Sequence, residues 1–160
     1  MLFRSVCFAN PAKSLPCWNG KNYLEKFLPG VLQHSKDEAQ IYVIDNASSD
    51  DSVDFLTKNF PTVKQLHNTT NGGFSKGYND GLAKIEAQYF VLLNSDVEVS
   101  KNWLTPIIEL MDKDEKIAAC QPKIKSFAQT DSFEYAGAAG GFMDTYFYPF
   151  CRGRILNTVE

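Results

Sequence analysis

No long hydrophobic run occurs: nothing in the 160 residues approaches the roughly 18 consecutive apolar residues of a membrane-spanning helix. Met1 to Ala9 is too short, and too soon interrupted by Asn10 and Pro11, for a secretory signal, so a cytoplasmic setting is expected. Positive charge is not in excess either. The formal net charge is −3 with acids and bases interleaved, which removes the basic stripe that a nucleic-acid binder needs. Histidine is scarce, and Cys7, Cys17, Cys120 and Cys151 form no Cys-x-x-Cys pair; this supply of ligands argues against zinc and for free, mostly buried thiols. Internal repeats, low-complexity linkers and heptads are also missing. So are two phosphate-binding signatures. The nearest approach to a P-loop is Gly72 to Gly77, where Tyr78 replaces the lysine, and the dinucleotide fingerprint Gly-x-Gly-x-x-Gly is absent.

What is present is an ordinary globular composition, 44% apolar and 22% charged, in a chain long enough to bury about 70% of its unfolded surface in one core. From Asn22 the residues Leu24, Phe27, Leu28, Val31 and Leu32 recur at helical spacing. Ile41 to Ile44 reads as a buried strand stopped by Asp45 and Asn46. Ser49 to Ser52 opens a helix carrying Val53, Leu56 and Phe60 and closed by Pro61. Val63 to Leu66 is the next strand, and the polar turn His67 to Gly73 leads into a helix with Phe74, Tyr78, Leu82 and Ile85 on its core face. Tyr89 to Leu93 is again a strand, Trp103 to Met111 a helix, and Ile117 to Cys120 a short strand before Pro122. From Ser126 onward the glycine-rich and aromatic tail promises short strands and loops. The sequons at Asn46 and Asn68 read as loop chemistry rather than glycan sites.

Strands alternating with helices predict an α/β fold with a mainly parallel central sheet flanked by helices and right-handed crossovers. Ligands of such sheets bind beyond the carboxyl ends of the strands, so Asp45 and Asn94 to Asp96 should converge on one crevice. Carboxylates there, instead of a glycine cradle, suit Mg²⁺ or Mn²⁺, which bind through one or two carboxylates plus substrate phosphates. Asp96 is the candidate metal ligand. If the chain stays extended, Asn94, Asp96 and Glu98 share one side of it. The alternative is that Asp96 merely begins a turn and Glu98 is solvated.

Taken together, Trp18, Asn19 and Gly20, then Val43 to Asp50, then Asn71 to Phe74 with Gly77, Asn79 and Gly81, then Leu92 to Asp96 resemble the family 2 glycosyltransferases, enzymes with the GT-A (nucleotide-diphospho-sugar transferase, Rossmann-like) fold. The likeness runs from about Pro16 to Trp103, and the branch most similar is rhamnosyltransferase-like. It implies one incomplete domain over residues 1–160, with a nucleotide-sugar-binding core at 16–125 and the start of an acceptor-side region at 126–160. The implied activity is transfer of a sugar, with inversion, from a UDP- or dTDP-sugar to a saccharide or lipid-linked acceptor in bacterial cell-surface polysaccharide synthesis. The implied nucleotide-sugar-binding residues are Pro16, Trp18, Asn19, Asp45, Asn71, Gly72, Lys76, Asn79, Asn94, Ser95 and Asp96. Asp45 would read the base, accepting the imide N–H of uracil or thymine, or else cap its own turn. Asp96 would hold Mg²⁺ or Mn²⁺, with asparagine standing for the first acid of the family's Asp-x-Asp element. Asp50 is a helix-capping acid. Lys76 would be a phosphate contact or, more simply, solvated. Gly77 and Gly81 each cost about 1 kcal/mol against alanine in a helix, which close approach to the sheet or to the donor would offset. The general base lies in the acceptor half, beyond Glu160; Asp131, Glu134 and Asp144 are carboxylates in no recognisable motif. The resemblance leaves room for peripheral membrane association of the full-length enzyme at the inner face of the cell membrane.

Where the family has a hydrophobic first strand directly before Trp18, this sequence has Pro11 and Pro16 among polar residues, poor material for a central strand. Either Leu2 to Phe8 supplies the strand through an inserted loop, or the N-terminus is an altered reading of the gene; the second is preferred. Two other functions remain in view. A donor-binding module without turnover would bind nucleotide sugar and stop there. A sugar-phosphate nucleotidyltransferase would need a glycine-rich phosphate loop with a basic residue near the N-terminus, and none is seen.

Overall fold

The computed structural model describes residues 4–9, 20–35, 37–120, 122, 124–132, 141–151, 154–155 and 158–159. They form two compact units, Met1–Thr105 and Pro106–Glu160. The parallel sheet and the three helices between its strands all lie in the first unit.

In the first unit the order is β1 (Arg4–Ala9), α1 (Lys21–Ser35), β2 (Gln40–Asp45), α2 (Ser52–Asn59), β3 (Lys64–His67), α3 (Gly73–Leu82) and β4 (Tyr89–Asn94). The four strands make one parallel sheet in the order β3-β2-β1-β4. The chain winds one way from β1 to β3 and then crosses back to β4. Right-handed crossovers therefore place α1 and α2 on one face and α3 on the other. A strand does form ahead of Trp18, as the first of the two readings of the N-terminus expects. Arg4–Ala9 is an interior strand, with Phe8 opposite both Val43 and Leu93 and Ala9 opposite Ile44 and Asn94, and Pro11 and Pro16 follow it in the sequence.

Alternation along β2 sends Ile44 toward α3 and Ile41 and Val43 to the opposite face, all three at most 3% exposed. Ile44 packs with Tyr78 and Ile85, with Tyr42, Leu66, Leu82 and Ala87 around them. Across the sheet, α1 buries Leu24, Phe27, Leu28 and Val31, and α2 buries Leu56. Gly20 starts α1 by accepting the amides of Tyr23 and Leu24. The N-cap of α2 is Asp51, whose side chain makes no cap bond; Asp50, one residue ahead of it, accepts the Ser52 amide at 3.0 Å. After β4 the chain returns to the end of α1, where the Trp103 indole donates to Ser35 Oγ at 2.9 Å and Thr105 donates to Glu38.

Two expectations are corrected. Ile117–Cys120 is not a strand: no described strand runs beside it, and Ile117 closes a turn on Asp114. Phe74 is exposed at 44%. It sits in the first turn of α3 and meets Tyr78 edge-on, ring centroids 4.9 Å apart. In the second unit, α4 (Thr105–Lys113) buries Ile108. The hairpin of β5 (Gly141–Met143) and β6 (Pro149–Cys151) and the pair β7 (Arg154–Ile155) and β8 (Thr158–Val159) are antiparallel. Of the cysteines, Cys120 is a free thiol but exposed rather than buried.

Gly81 shows how closely α3 lies on the sheet: a Cβ there would sit 2.4 Å from Ile44 Cδ1. Gly81→Ala should therefore destabilise by about 1–3 kcal/mol through overpacking, despite alanine's better helix propensity. Gly30, inside α1, has nothing within 4 Å of the same atom, so Gly30→Ala should stabilise by up to about 1 kcal/mol. Urea unfolding of the two variants checks the opposite signs.

Candidate functional site

The direction of winding reverses between β1 and β4, and the crevice outside the carboxyl ends of the strands at such a point is where α/β sheets bind ligands. The carboxyl ends of β2 and β4 bring Asp45 and Asn94 to the same edge, with β1 between them, hence about 9–10 Å apart. The expected convergence is present. Pro16, Trp18 and Asn19, in the segment that follows β1, lie outside the described residues.

Asp45 is buried, and its two carboxylate oxygens accept the Ser48 amide at 3.3 and 3.2 Å. His67, its register partner on β3, has Nδ1 3.9 Å from Oδ2. The turn-capping role is thus real. It holds Ala47 at φ 62°, a left-handed conformation that costs an alanine about 1–2 kcal/mol. An ionised carboxylate offers about four lone-pair positions, so capping leaves acceptor capacity for a ligand donor.

Next to it lies a group that sequence reasoning passed over. Asn46 is 1% exposed. Its Nδ2 donates to Asn71 Oδ1 at 2.9 Å and to the Gly73 carbonyl at 3.2 Å, and its Oδ1 accepts from Asn68 Nδ2 at 3.2 Å. Asn68, also buried, donates from Nδ2 to the Gly77 carbonyl at 3.0 Å, and its amide donates to the Asp45 carbonyl at 2.9 Å. Asn71 Oδ1 in turn accepts the Gly73 amide at 3.0 Å, fixing the first turn of α3. Three asparagines therefore tie the ends of β2 and β3 to the start of α3. Read from the sequence as loop residues, Asn46 and Asn68 are instead buried at the strand ends. The one sequence signal was for Asn46, an amide directly after an acid at the end of a buried strand; Asn68, after His67, had none.

The glycines of α3 have a physical cause. A Cβ on Gly77 would stand 3.0 Å from the Asn46 carboxamide, so this glycine admits the buried amide as Gly81 admits Ile44. Gly72 leaves room for the Lys76 stem, whose carbons would lie 2.9 Å from a Cβ there. The Lys76 ammonium is exposed and paired with Asp80 at 2.5 Å. Asn79 is not gathered into the site: two residues from Gly77, it points about 200° around the helix from the sheet-facing glycines, and it lies about 9 Å along the axis from Gly73.

On β4, Tyr78 Oη donates to the Leu93 carbonyl at 3.2 Å, and the strand ends at Asn94. The chain turns at Ser95 and Asp96, so the extended spacing that would align Asn94, Asp96 and Glu98 does not hold. Ser95 is buried while Asp96 and Glu98 are exposed. The Asp96 carboxylate makes no hydrogen bond or ion pair with any described residue. Nor, among the described residues, do three metal-ligating side chains cluster anywhere. A lone, uncommitted carboxylate at a strand end fits a divalent ion that takes most of its oxygens from a bound phosphate ligand; it does not fit an all-protein cage.

The family model for glycosyl transferase family 2 matches residues 15–157. A putative teichuronic acid biosynthesis glycosyltransferase, TuaG of Bacillus subtilis, is 25% identical over 99 residues, 60% of this chain and 39% of that protein. The structure of S. aureus TarS 1–349 in complex with UDP-GlcNAc superposes with a TM-score of 0.65 at 20% identity, covering 88% of this chain and 39% of that one. Mannosyltransferase PcManGT from Pyrobaculum calidifontis, in complex with GDP-Man and Mn²⁺, gives 0.55 at 14% identity, covering 76% and 34%. The chain thus spans well under half the length of each.

The asparagine cluster can be tested by itself. Asn46→Ala should cost about 2–4 kcal/mol, since it strands the buried Asn68 amide and the Gly73 carbonyl. Urea unfolding measures it, and a loss below about 0.5 kcal/mol, the range of surface substitutions, would show the network to be incidental.

Proposed function

The chain belongs to glycosyl transferase family 2 and has its GT-A fold, and from that premise we propose that Met1–Thr105 carries the donor site of an enzyme that transfers a hexosyl or rhamnosyl group. The donor is a UDP- or dTDP-sugar, and the acceptor a saccharide or lipid-linked saccharide of a bacterial surface polysaccharide. The observation that carries the reading is the pairing, on one edge of the sheet, of a buried carboxylate on β2 with an exposed, uncommitted one just past β4. The solved relatives with UDP-GlcNAc and with GDP-Man and Mn²⁺ support a nucleotide-sugar partner and a divalent ion.

In this reading Asp45 accepts the imide N–H of the base, held in place by the Ser48 amide and by the asparagine cluster behind it. Asn94 and Ser95 flank the diphosphate, and Asp96 holds Mg²⁺ or Mn²⁺. When bound, the ion supplies positive charge to the departing nucleoside diphosphate, a contact of about 4 kcal/mol at 4 Å in an effective dielectric near 20. The first turn of α3 adds its amides, worth about 0.3–1 kcal/mol. Lys76, bound to Asp80, and Asn79, on the far side of α3, take lesser parts. Transfer proceeds with inversion, an acceptor hydroxyl attacking the anomeric carbon while a general base in the acceptor half takes its proton.

Calorimetric titration of the chain with UDP, dTDP and GDP, with and without Mn²⁺, tests this. UDP or dTDP should bind more tightly than GDP and more tightly with Mn²⁺. Asp96→Ala should abolish the Mn²⁺ dependence. Asp45→Asn keeps an oxygen for the Ser48 amide but loses the charged acceptor, and should weaken UDP by roughly 10- to 100-fold with little change in stability. Metal-independent binding unaffected by Asp96→Ala would sink the assignment of Asp96.

A further inference from the structure

The imidazole of His67 has no part in the chemistry described so far. His67 is the last residue of β3 and the register partner of Asp45, so the two side chains leave the sheet on the same face, at its carboxyl edge. The ring Nδ1 stands 3.9 Å from Asp45 Oδ2, outside hydrogen-bond range, and the imidazole makes no hydrogen bond with any described residue. The ring is half exposed, whereas the Asp45 carboxylate is buried. Its main chain is held from two sides, by the β2 ladder and by Lys84, whose Nζ donates to the His67 carbonyl at 3.4 Å.

A pyrimidine imide asks for more than Asp45 provides. In uracil and thymine the N–H that a carboxylate would accept lies between two ring carbonyls, and a carbonyl taken out of water without a donor costs affinity. The nearby donors of the asparagine cluster are committed. Asn46 Nδ2 gives its two N–H groups to Asn71 Oδ1 and the Gly73 carbonyl, and Asn68 Nδ2 gives its two to Asn46 Oδ1 and the Gly77 carbonyl. The Asn68 amide is bonded to the Asp45 carbonyl and the Ser48 amide to the Asp45 carboxylate. We propose that His67 is a specificity-determining residue of the donor site, its Nδ1–H donating to a carbonyl beside the imide N–H that Asp45 accepts. The carboxylate favours the tautomer with the proton on Nδ1, the nitrogen that faces it. Acceptor and donor then stand side by side, as an imide edge requires, whereas cytosine would turn a lone pair toward the carboxylate. This assignment rests on the donor-site reading above, since it needs a pyrimidine at Asp45.

The probes are UDP and its 2-thio and 4-thio analogues, which keep the imide N–H and replace one carbonyl oxygen by sulfur, a weaker acceptor. In calorimetric titrations with Mn²⁺, the chain should bind UDP about tenfold more tightly than one of the two analogues. His67→Ala should lose that preference and bind UDP about tenfold more weakly, while its urea-unfolding midpoint stays near that of wild type because the side chain is half exposed. His67→Asn, whose amide nitrogen falls where Nδ1 stood on a smaller side chain, should keep the preference. A ring that merely fills space predicts that the asparagine variant behaves as the alanine one does. UDP binding with no preference over either analogue, or a preference that His67→Ala keeps or His67→Asn loses, overturns the assignment and leaves the donor site standing. Absence of UDP binding by the wild-type chain overturns the donor reading itself, and the role of His67 with it.

Discussion

A carboxamide buried at the tip of the second strand sets the geometry around it. Leaving a buried amide unpaired costs about 1–3 kcal/mol per group, so Asn46 fixes its surroundings by requiring partners. Those partners come from separate parts of the sequence: Asn68 after β3, and Asn71 with Gly73 at the start of α3. Asp45, one residue earlier, inherits its position from the same arrangement, because the Asn68 amide bonds to the Asp45 carbonyl. The candidate base-reading carboxylate and the first turn of α3 are thereby parts of one hydrogen-bonded body.

α3 could not supply that body unaided. It holds Gly73, Gly77 and Gly81 within ten residues, each interior glycine lowering helix stability by about 1 kcal/mol, and isolated helices of this length are marginal in any case. Its stability comes from what the glycines admit: Asn46 against Gly77, Ile44 against Gly81, with the Tyr78 hydroxyl bonded to the Leu93 carbonyl on β4. A helix that exists only when docked transmits the state of the core to the strand tips. Substitutions on its sheet-facing side should therefore disturb ligand binding and folding together, whereas those on the Asn79 side should disturb neither strongly.

Much of this was legible in the sequence, for identifiable reasons. Runs such as Ile41 to Ile44 bounded by polar residues give strands, the spacing of Leu24 to Val31 gives a helix, and their alternation gives the parallel sheet with polar tips at Asp45 and Asn94. What failed depended on pairing in space. The sequence from Arg4 to Ala9 looks weak because its qualification as a strand is the pair of neighbours on either side. Ile117 to Cys120 looks strong, yet no described strand accompanies it. Phe74 keeps the helical period of the core but sits in the first turn of α3, where it stays 44% exposed. Asn46 and Asn68 escaped notice because an asparagine near a strand end is usually a solvated turn residue, and only the approach of α3 turns it into a buried one. The alignment of Asn94, Asp96 and Glu98 assumed an extended chain that turns at Ser95.

That turn changes the chemistry to be expected of Asp96. Three oxygens in line along a strand would have made a partly prebuilt metal site, able to hold an ion ahead of the donor. A single exposed carboxylate on a turn holds one weakly, since Mg²⁺ and Mn²⁺ require several oxygens in defined geometry. On the proposed reading the missing oxygens come from the donor's diphosphate, and the ion and the donor then each raise the other's affinity by the same factor, as linkage requires. The burial of Ser95 and the Tyr78–Leu93 bond hold the base of the turn. The carboxylate at its tip, bound to no described residue, is free to meet whichever phosphate oxygens the seated base presents. Asp45 and Asp96 thus divide the work: the buried acid, fixed by the asparagine cluster, fixes where the nucleotide lies, and the exposed one adapts to it.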